Sequence, residues 1–145
     1  MKSAFLLLFI LFTELAGAGD VEIIVKLEKA VVSRDEVIDV EVFILNGSAE
    51  QINIPAAGDD EGYSITNVDF EMVFYDVVDG KLELRGMGSE SRGVTHLEVV
   101  ELKPQDSRKY KFKWTAPDGN FELLVLKPTF LIDDNFQAGK ATLTI

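Results

Sequence analysis

The chain has no cysteine, and no other absence removes as much chemistry. Disulfides, thiol nucleophiles and thiolate metal sites are all excluded, so packing alone must hold the fold. Histidine is nearly as scarce, with His96 alone among 145 residues. One histidine cannot build a multi-histidine zinc or copper centre, and a Ser-His-Asp triad would have to use it. No Gly-x-Ser-x-Gly elbow presents a serine to it, and a lone histidine beside Thr95 and Leu97 reads as an ordinary strand residue. Basic residues are outnumbered 14 to 25 by acidic ones, for a net charge of −11. Such a surface repels phosphate backbones and anionic lipid, which argues against nucleic acid or a membrane surface as partner. A sustained 3.6-residue apolar period is missing as well, so no helix is expected in the body of the chain.

Only one long apolar run is present. Met1-Lys2-Ser3 carries one positive charge, Phe5 to Phe12 is unbroken hydrophobic sequence, and Ala16-Gly17-Ala18 sets small residues before a cut after Ala18. That layout is a secretory signal peptide over residues 1–18, with a mature domain over 19–145. A spanning helix would need about 20 apolar residues, and here Thr13 and Glu14 interrupt after eight. No cysteine follows to carry a lipid. Lys2 and Glu14 leave together, so cleavage does not change the charge. The expected location is secreted or periplasmic.

The rest of the chain alternates. Val21 to Glu28, Val37 to Leu45, Glu50 to Ile54, Val68 to Phe74, Lys81 to Arg85, Val94 to Leu102, Lys109 to Trp114, Phe121 to Leu126 and Lys140 to Ile145 read as strands. In the clearest of them Tyr110, Phe112 and Trp114 alternate with Lys109, Lys111 and Lys113. Their aromatics are expected in the core and their lysines in solvent. Asn46-Gly47 and Asp79-Gly80 are hairpin signals. Asn46-Gly47-Ser48 is also an acceptor triplet for N-glycosylation. Two stretches read as loops: Gly86 to Gly93, on glycine content, and Lys127 to Gly139, which lacks a clean period. The pattern predicts an all-β fold, an antiparallel immunoglobulin-like β-sandwich of seven to nine strands. A closed barrel with a ligand cavity is the alternative.

Two segments carry a family resemblance. Asp35 to Asn46 resembles a second strand entered from a turn and ended by Asn. Leu102-Lys103-Pro104-Gln105-Asp106-Ser107, then Tyr110 to Trp114, then Pro117-Asp118-Gly119-Asn120-Phe121-Glu122-Leu123, resembles the order seen in secreted immunoglobulin-like domains. The Bacillus intracellular proteinase inhibitor family and the N-terminal domains of some secreted metalloendopeptidases are similar. The resemblance implies the fold and brings no catalytic residue. No protease-contacting segment of the inhibitors can be matched residue by residue.

Candidate sites follow from the loops. Phe130, Leu131, Ile132 and Phe136 form an apolar cluster in a segment read as a loop, where function concentrates. They are the first candidates for a protein-binding apex; the alternative is an unrecognised strand. Arg85, Met87 and Arg92, at the glycine-rich segment, are the second. Asp59-Asp60-Glu61 and Asp133-Asp134 offer runs of hard oxygen ligands for calcium, without the alternate spacing of an EF-hand, against a reading as solvated loop charge. Paired carboxylates for a hydrolase cannot be selected among so many acids. The expectation is a non-enzymatic binding or accessory module, disulfide-free and acidic, monomeric or weakly dimeric through open sheet edges. Its alternatives are a secreted protease inhibitor and, more remotely, a carboxylate hydrolase. N-terminal sequencing of the exported protein should begin at Gly19; an intact Met1 in the membrane fraction would make residues 1–18 an anchor instead.

Overall fold

The computed structural model describes residues 20–56, 62–93 and 98–145, together with the backbone of 14–15 and 58–60. Most of residues 1–18, where a signal peptide is expected, lie outside the described residues, as do Glu61, His96 and the side chains of Asp59 and Asp60. Among the described residues every regular element is a strand. In chain order these are β1 (Glu14–Leu15), β2 (Val21–Leu27), β3 (Val37–Asn46), β4 (Ile52–Pro55), β5 (Gly58–Asp60), β6 (Tyr63–Ile65), β7 (Val68–Val78), β8 (Lys81–Arg92), β9 (Val99–Leu102), β10 (Ser107–Thr115), β11 (Leu123–Ile132), β12 (Asn135–Ala138) and β13 (Ala141–Thr144). All their pairings are antiparallel.

The first sheet runs β1-β2-β3-β10 and the second β12-β11-β7-β8, with β13 also on β11. Period two puts Ile23 and Val25, Ile38, Val40, Val42 and Ile44, and Tyr110, Phe112 and Trp114 on the inner face of the first sheet, all buried. Phe70, Leu124, Leu126, Phe130, Ile132 and Leu143 do the same in the second. Rings join the two faces. Phe70 meets Phe112 edge-on at 5.3 Å between centroids, and Phe130 meets Tyr110 at 5.0 Å. The Tyr110 hydroxyl donates to the Pro55 carbonyl, tying the cluster to β4. On one side the β2–β3 connection closes onto β13 through the Val32 amide to Thr144 and the Thr144 amide to Ala30.

Several sequence expectations need correction. Residues 127–139 are no loop: β11 continues to Ile132 and turns into β12, so Phe130 and Ile132 are core residues, not apex residues. Pro128 is what disguises the strand, because proline lacks a ladder donor. Its carbonyl accepts the Gly139 amide, so its own nitrogen faces that same edge of β11, at the break between β12 and β13. The edge there needs no donor from residue 128.

Gly86 to Arg92 is likewise strand, the second half of β8. Gly86 and Gly88 face Phe74 and Met72 across the pair, and a Cβ on Gly88 would lie 3.4 Å from the Phe74 ring. The glycines make room for that ring. Asn46-Gly47 is not a hairpin, since β3 pairs with β2 and β10 while β4 pairs with β9. Asn46 is fully buried instead. Its amide group donates to the carbonyls of Glu50 and Leu102 and its Oδ1 accepts from Ser48. In the folded chain that side-chain amide is fully engaged. Asp79-Gly80 does turn β7 into β8, with φ of 52° and 75°, the left-handed pair that a two-residue hairpin requires.

Two outcomes follow. Phe130→Ala should cost about 3–5 kcal/mol in urea unfolding, whereas exposed Phe136→Ala should cost under about 0.5 kcal/mol. Burial pushes the Tyr110 phenol well above the ordinary tyrosine range, with Arg108 opposing it. Its contribution is therefore intact below the unfolded value of about pH 10 and falls as pH climbs past it. Tyr110→Phe should lose about 1–2 kcal/mol at pH 7 and show a shallower alkaline decline.

Candidate binding cleft

The β11–β12 hairpin is tied to β4 by hydrogen bonds at its turn. Asp133 and Asp134 occupy its two-residue turn with φ of 48° and 63°. Aspartate tolerates that region better than most residues. The turn is also docked: the Asp133 carboxylate accepts the Asn53 amide at 2.8 Å, and the Asp133 amide donates to the Asn53 carbonyl at 3.1 Å. Asp133 thus has a structural role in fastening the hairpin to β4. Among the described residues no group of three or more His, Asp or Glu side chains is placed to hold a metal ion.

Beyond this turn Phe136 stands out from β12, 72% exposed and directly opposite Leu131. Together with Pro55, Val68 and Val99 these two residues form the apolar wall of a cleft of about 360 Å³. It lies among the hairpin, the β4–β9 pair and the ends of β7 and β8. Asp69, Ser91 and Arg92 supply its polar side. Arg92 is itself positioned, with Nε 3.0 Å from a Glu90 oxygen and the guanidinium 4.9 Å over the Phe70 ring. A second depression of about 300 Å³ shares Val99 and Leu131 and ends at Asn53, Asp133 and Asp134.

The residues singled out from sequence therefore separate into three groups. Leu131, Phe136 and Arg92 come together at the cleft. Phe130 and Ile132 back the same hairpin from within the core. Arg85 and Met87 sit further back along β8, Arg85 in an ion pair with Asp76 at 3.0 Å and Met87 exposed. Sequence reasoning missed Pro55, Val68 and Val99, which reach the cleft only through tertiary folding. The turn at Asp133-Asp134 was legible in principle, as two residues tolerant of positive φ between apolar positions.

Chemically the cleft is a greasy slot with one cation and one carboxylate at its rim. Ser91 stands directly opposite Asp69 across the β7–β8 pair, and among the described residues no histidine or lysine lines the cleft. No protein-family model matches the chain, and no curated protein does. Among solved structures, the sporulation control protein Spo0M from Bacillus subtilis aligns at a TM-score of 0.53 and 12% identity, over 87% of this chain. The likeness is one of all-β fold alone. The match takes in 49% of Spo0M, so this chain spans about half its length. The alkylpurine DNA glycosylase AlkC from Pseudomonas fluorescens aligns at 0.49 and 12% identity, over 87% of this chain and 30% of its own. A β-glucosidase from Erythrobacter marinus aligns at 0.40 and 13% identity, over 83% and 14%.

Asp133→Ala should lower stability by about 1–2 kcal/mol, through the lost acceptor for Asn53 and the strain of alanine at positive φ. Asp134→Gly should be neutral or stabilising by up to about 1 kcal/mol. Both are read by urea titration. Since the Asp133 carboxylate is already engaged, millimolar calcium should leave the melting temperature unchanged; a rise abolished by Asp134→Asn would assign a cation to this turn.

Proposed function

We propose that the chain is an exported, non-enzymatic binding module: an immunoglobulin-like β-sandwich that takes an apolar segment of a partner protein into the cleft at the β11–β12 hairpin. The observation that carries this reading is Phe136. A phenylalanine left 72% exposed in β12, next to a turn fastened by two hydrogen bonds and beside Leu131 and Val99, resembles a preformed anchor for a hot spot. Burying that ring and the cleft wall would contribute about 2–3 kcal/mol from the ring alone. Arg92 would orient a polar or acidic group of the partner, and the strongly acidic remainder of the surface would disfavour acidic partners elsewhere.

The secretory layout of residues 1–18 supports export, and the lack of cysteine fits a domain stabilised by its core. A secreted protease inhibitor is the narrower form of the same reading, with the exposed hairpin as its contact. The test is a competition experiment on partner retained from the secreted or periplasmic fraction. Soluble wild-type protein should displace it, and Phe136→Ala should compete at least about tenfold less well, while Phe43→Ala, on the outer face of the first sheet, competes normally. Equal competition by Phe136→Ala would end the cleft reading. Inhibition of a secreted protease, lost in the same variant, would select the inhibitor form.

A further inference from the structure

The outer faces of the two sheets differ in kind. On the first, Lys109 pairs with Glu41 at 2.6 Å and Lys111 lies 3.7 Å from Asp39. The edge of that sheet at β10 is also covered, because the Lys111 amide donates to the Ser64 hydroxyl and Tyr63 lies under Lys111 and Lys113. On the second sheet, directly opposite residues share a face: Tyr75 with Leu84 and Leu123, Val77 with Leu82, Val73 with Met87 and Val125. Their chain neighbours Phe74 and Leu124 point into the core, so this set points outward. Its exposed members include Val77 at 43%, Leu82 at 58%, Leu84 at 59% and Met87 at 76%. Those four alone present roughly 400 Å² of apolar surface, within the range of the largest patch on a typical monomer, which is often functional.

The strand bearing most of this patch is also an edge. β8 pairs with β7 and with no other strand among the described residues, and Lys81 to Arg85 are all exposed. No proline interrupts β8, and among the described residues no hydroxyl caps this stretch as Ser64 caps β10. An uncovered edge of this length is a template for another strand.

We propose that β8 is the contact between two copies of this chain, joined antiparallel about a two-fold axis through Leu84, so that the second sheet continues from one copy into the other. The charge pattern of Lys81-Leu82-Glu83-Leu84-Arg85 selects the second copy and the register. With Leu84 opposite Leu84, Glu83 of each copy faces Arg85 of the other, twice by symmetry. Moving the axis to Glu83 opposes two carboxylates, and moving it to Arg85 opposes two guanidiniums. Glu83 and Arg85 lie on the face away from the leucines, beside Asp76, so the ion pairs and the apolar stripe form on opposite sides of the joint. The bulge between Phe74 and Tyr75 pairs sets Arg85 outside the β7 register. The guanidinium has donors enough for both Asp76 and Glu83 of the other copy. Repulsion between two chains of charge −11 opposes the contact, but at physiological salt it is screened beyond about 8 Å. The contact is separate from the cleft: Leu84 and Arg92 are eight residues apart on one strand, roughly 25 Å.

Sedimentation equilibrium of the purified protein from about 1 to 200 µM at 0.15 M salt tests this. Wild type should show a monomer–dimer equilibrium. Leu84→Asp, which opposes two carboxylates on the axis at an exposed position, should weaken the dimer at least about tenfold with an unchanged far-ultraviolet spectrum and melting temperature. Glu83→Arg should weaken it, and the double exchange Glu83→Arg with Arg85→Glu should restore it. Wild type monomeric throughout, a Leu84→Asp dimer as tight as wild type, or a double exchange no tighter than Glu83→Arg alone would each overturn the proposal.

Discussion

Everything in this fold depends on the meeting of four rings between two sheets. Tyr110 and Phe112 come from the first sheet, Phe70 and Phe130 from the second, with centroids 5.0 to 6.5 Å apart across the gap. With no disulfide available, this contact and the aliphatic residues around it must offset the conformational entropy of the chain. The cluster also sets the geometry of the surface. Phe130 fixes where β11 lies, and two residues further along the strand reaches the turn that fastens to Asn53. Tyr110 holds Pro55, a wall of the cleft, through its hydroxyl.

The candidate site is thus an extension of the core. Along β11 the inward residues Phe130 and Ile132 anchor the strand and the outward residue Leu131 lines the cleft. Phe136 is its cross-strand neighbour, kept in register by an aspartate turn whose carboxylate satisfies a backbone amide of β4. A binding surface built this way is preorganised: the entropy of ordering it has been met in folding, and little remains to be lost on contact. That is the physical reason to read an exposed phenylalanine here as functional, where a scattered surface apolar residue would need no explanation.

Much of the fold was legible in the sequence because period two is a strong signal wherever one sheet face is buried. The alternation of Ile38, Val40, Val42 and Ile44, and of Tyr110, Phe112 and Trp114, carries directly into the structure. The signal weakened where a residue had a local meaning that its tertiary setting overrode. Pro128 reads as a strand breaker, yet it sits where β11 changes neighbours and needs no donor. Gly86 and Gly88 read as loop, yet they accommodate Phe74. Asn46-Gly47 reads as a hairpin, yet Asn46 is a buried bracket joining β3, the Glu50 carbonyl and β9. At the site, Phe136, Leu131 and Arg92 were legible as apolar or charged residues in suspect segments. Pro55, Val68 and Val99 were not, because only long-range pairing brings them there.

The central claim is that the β11–β12 end, and not the outer face of the first sheet, meets the partner. Site-specific photo-crosslinking tests it most directly, with a benzophenone side chain placed in turn at Phe136 and at Phe43 and irradiated in the secreted or periplasmic fraction. The account predicts a defined adduct from position 136 and none from position 43. Adducts from position 43 alone, or equally from both, would contradict it.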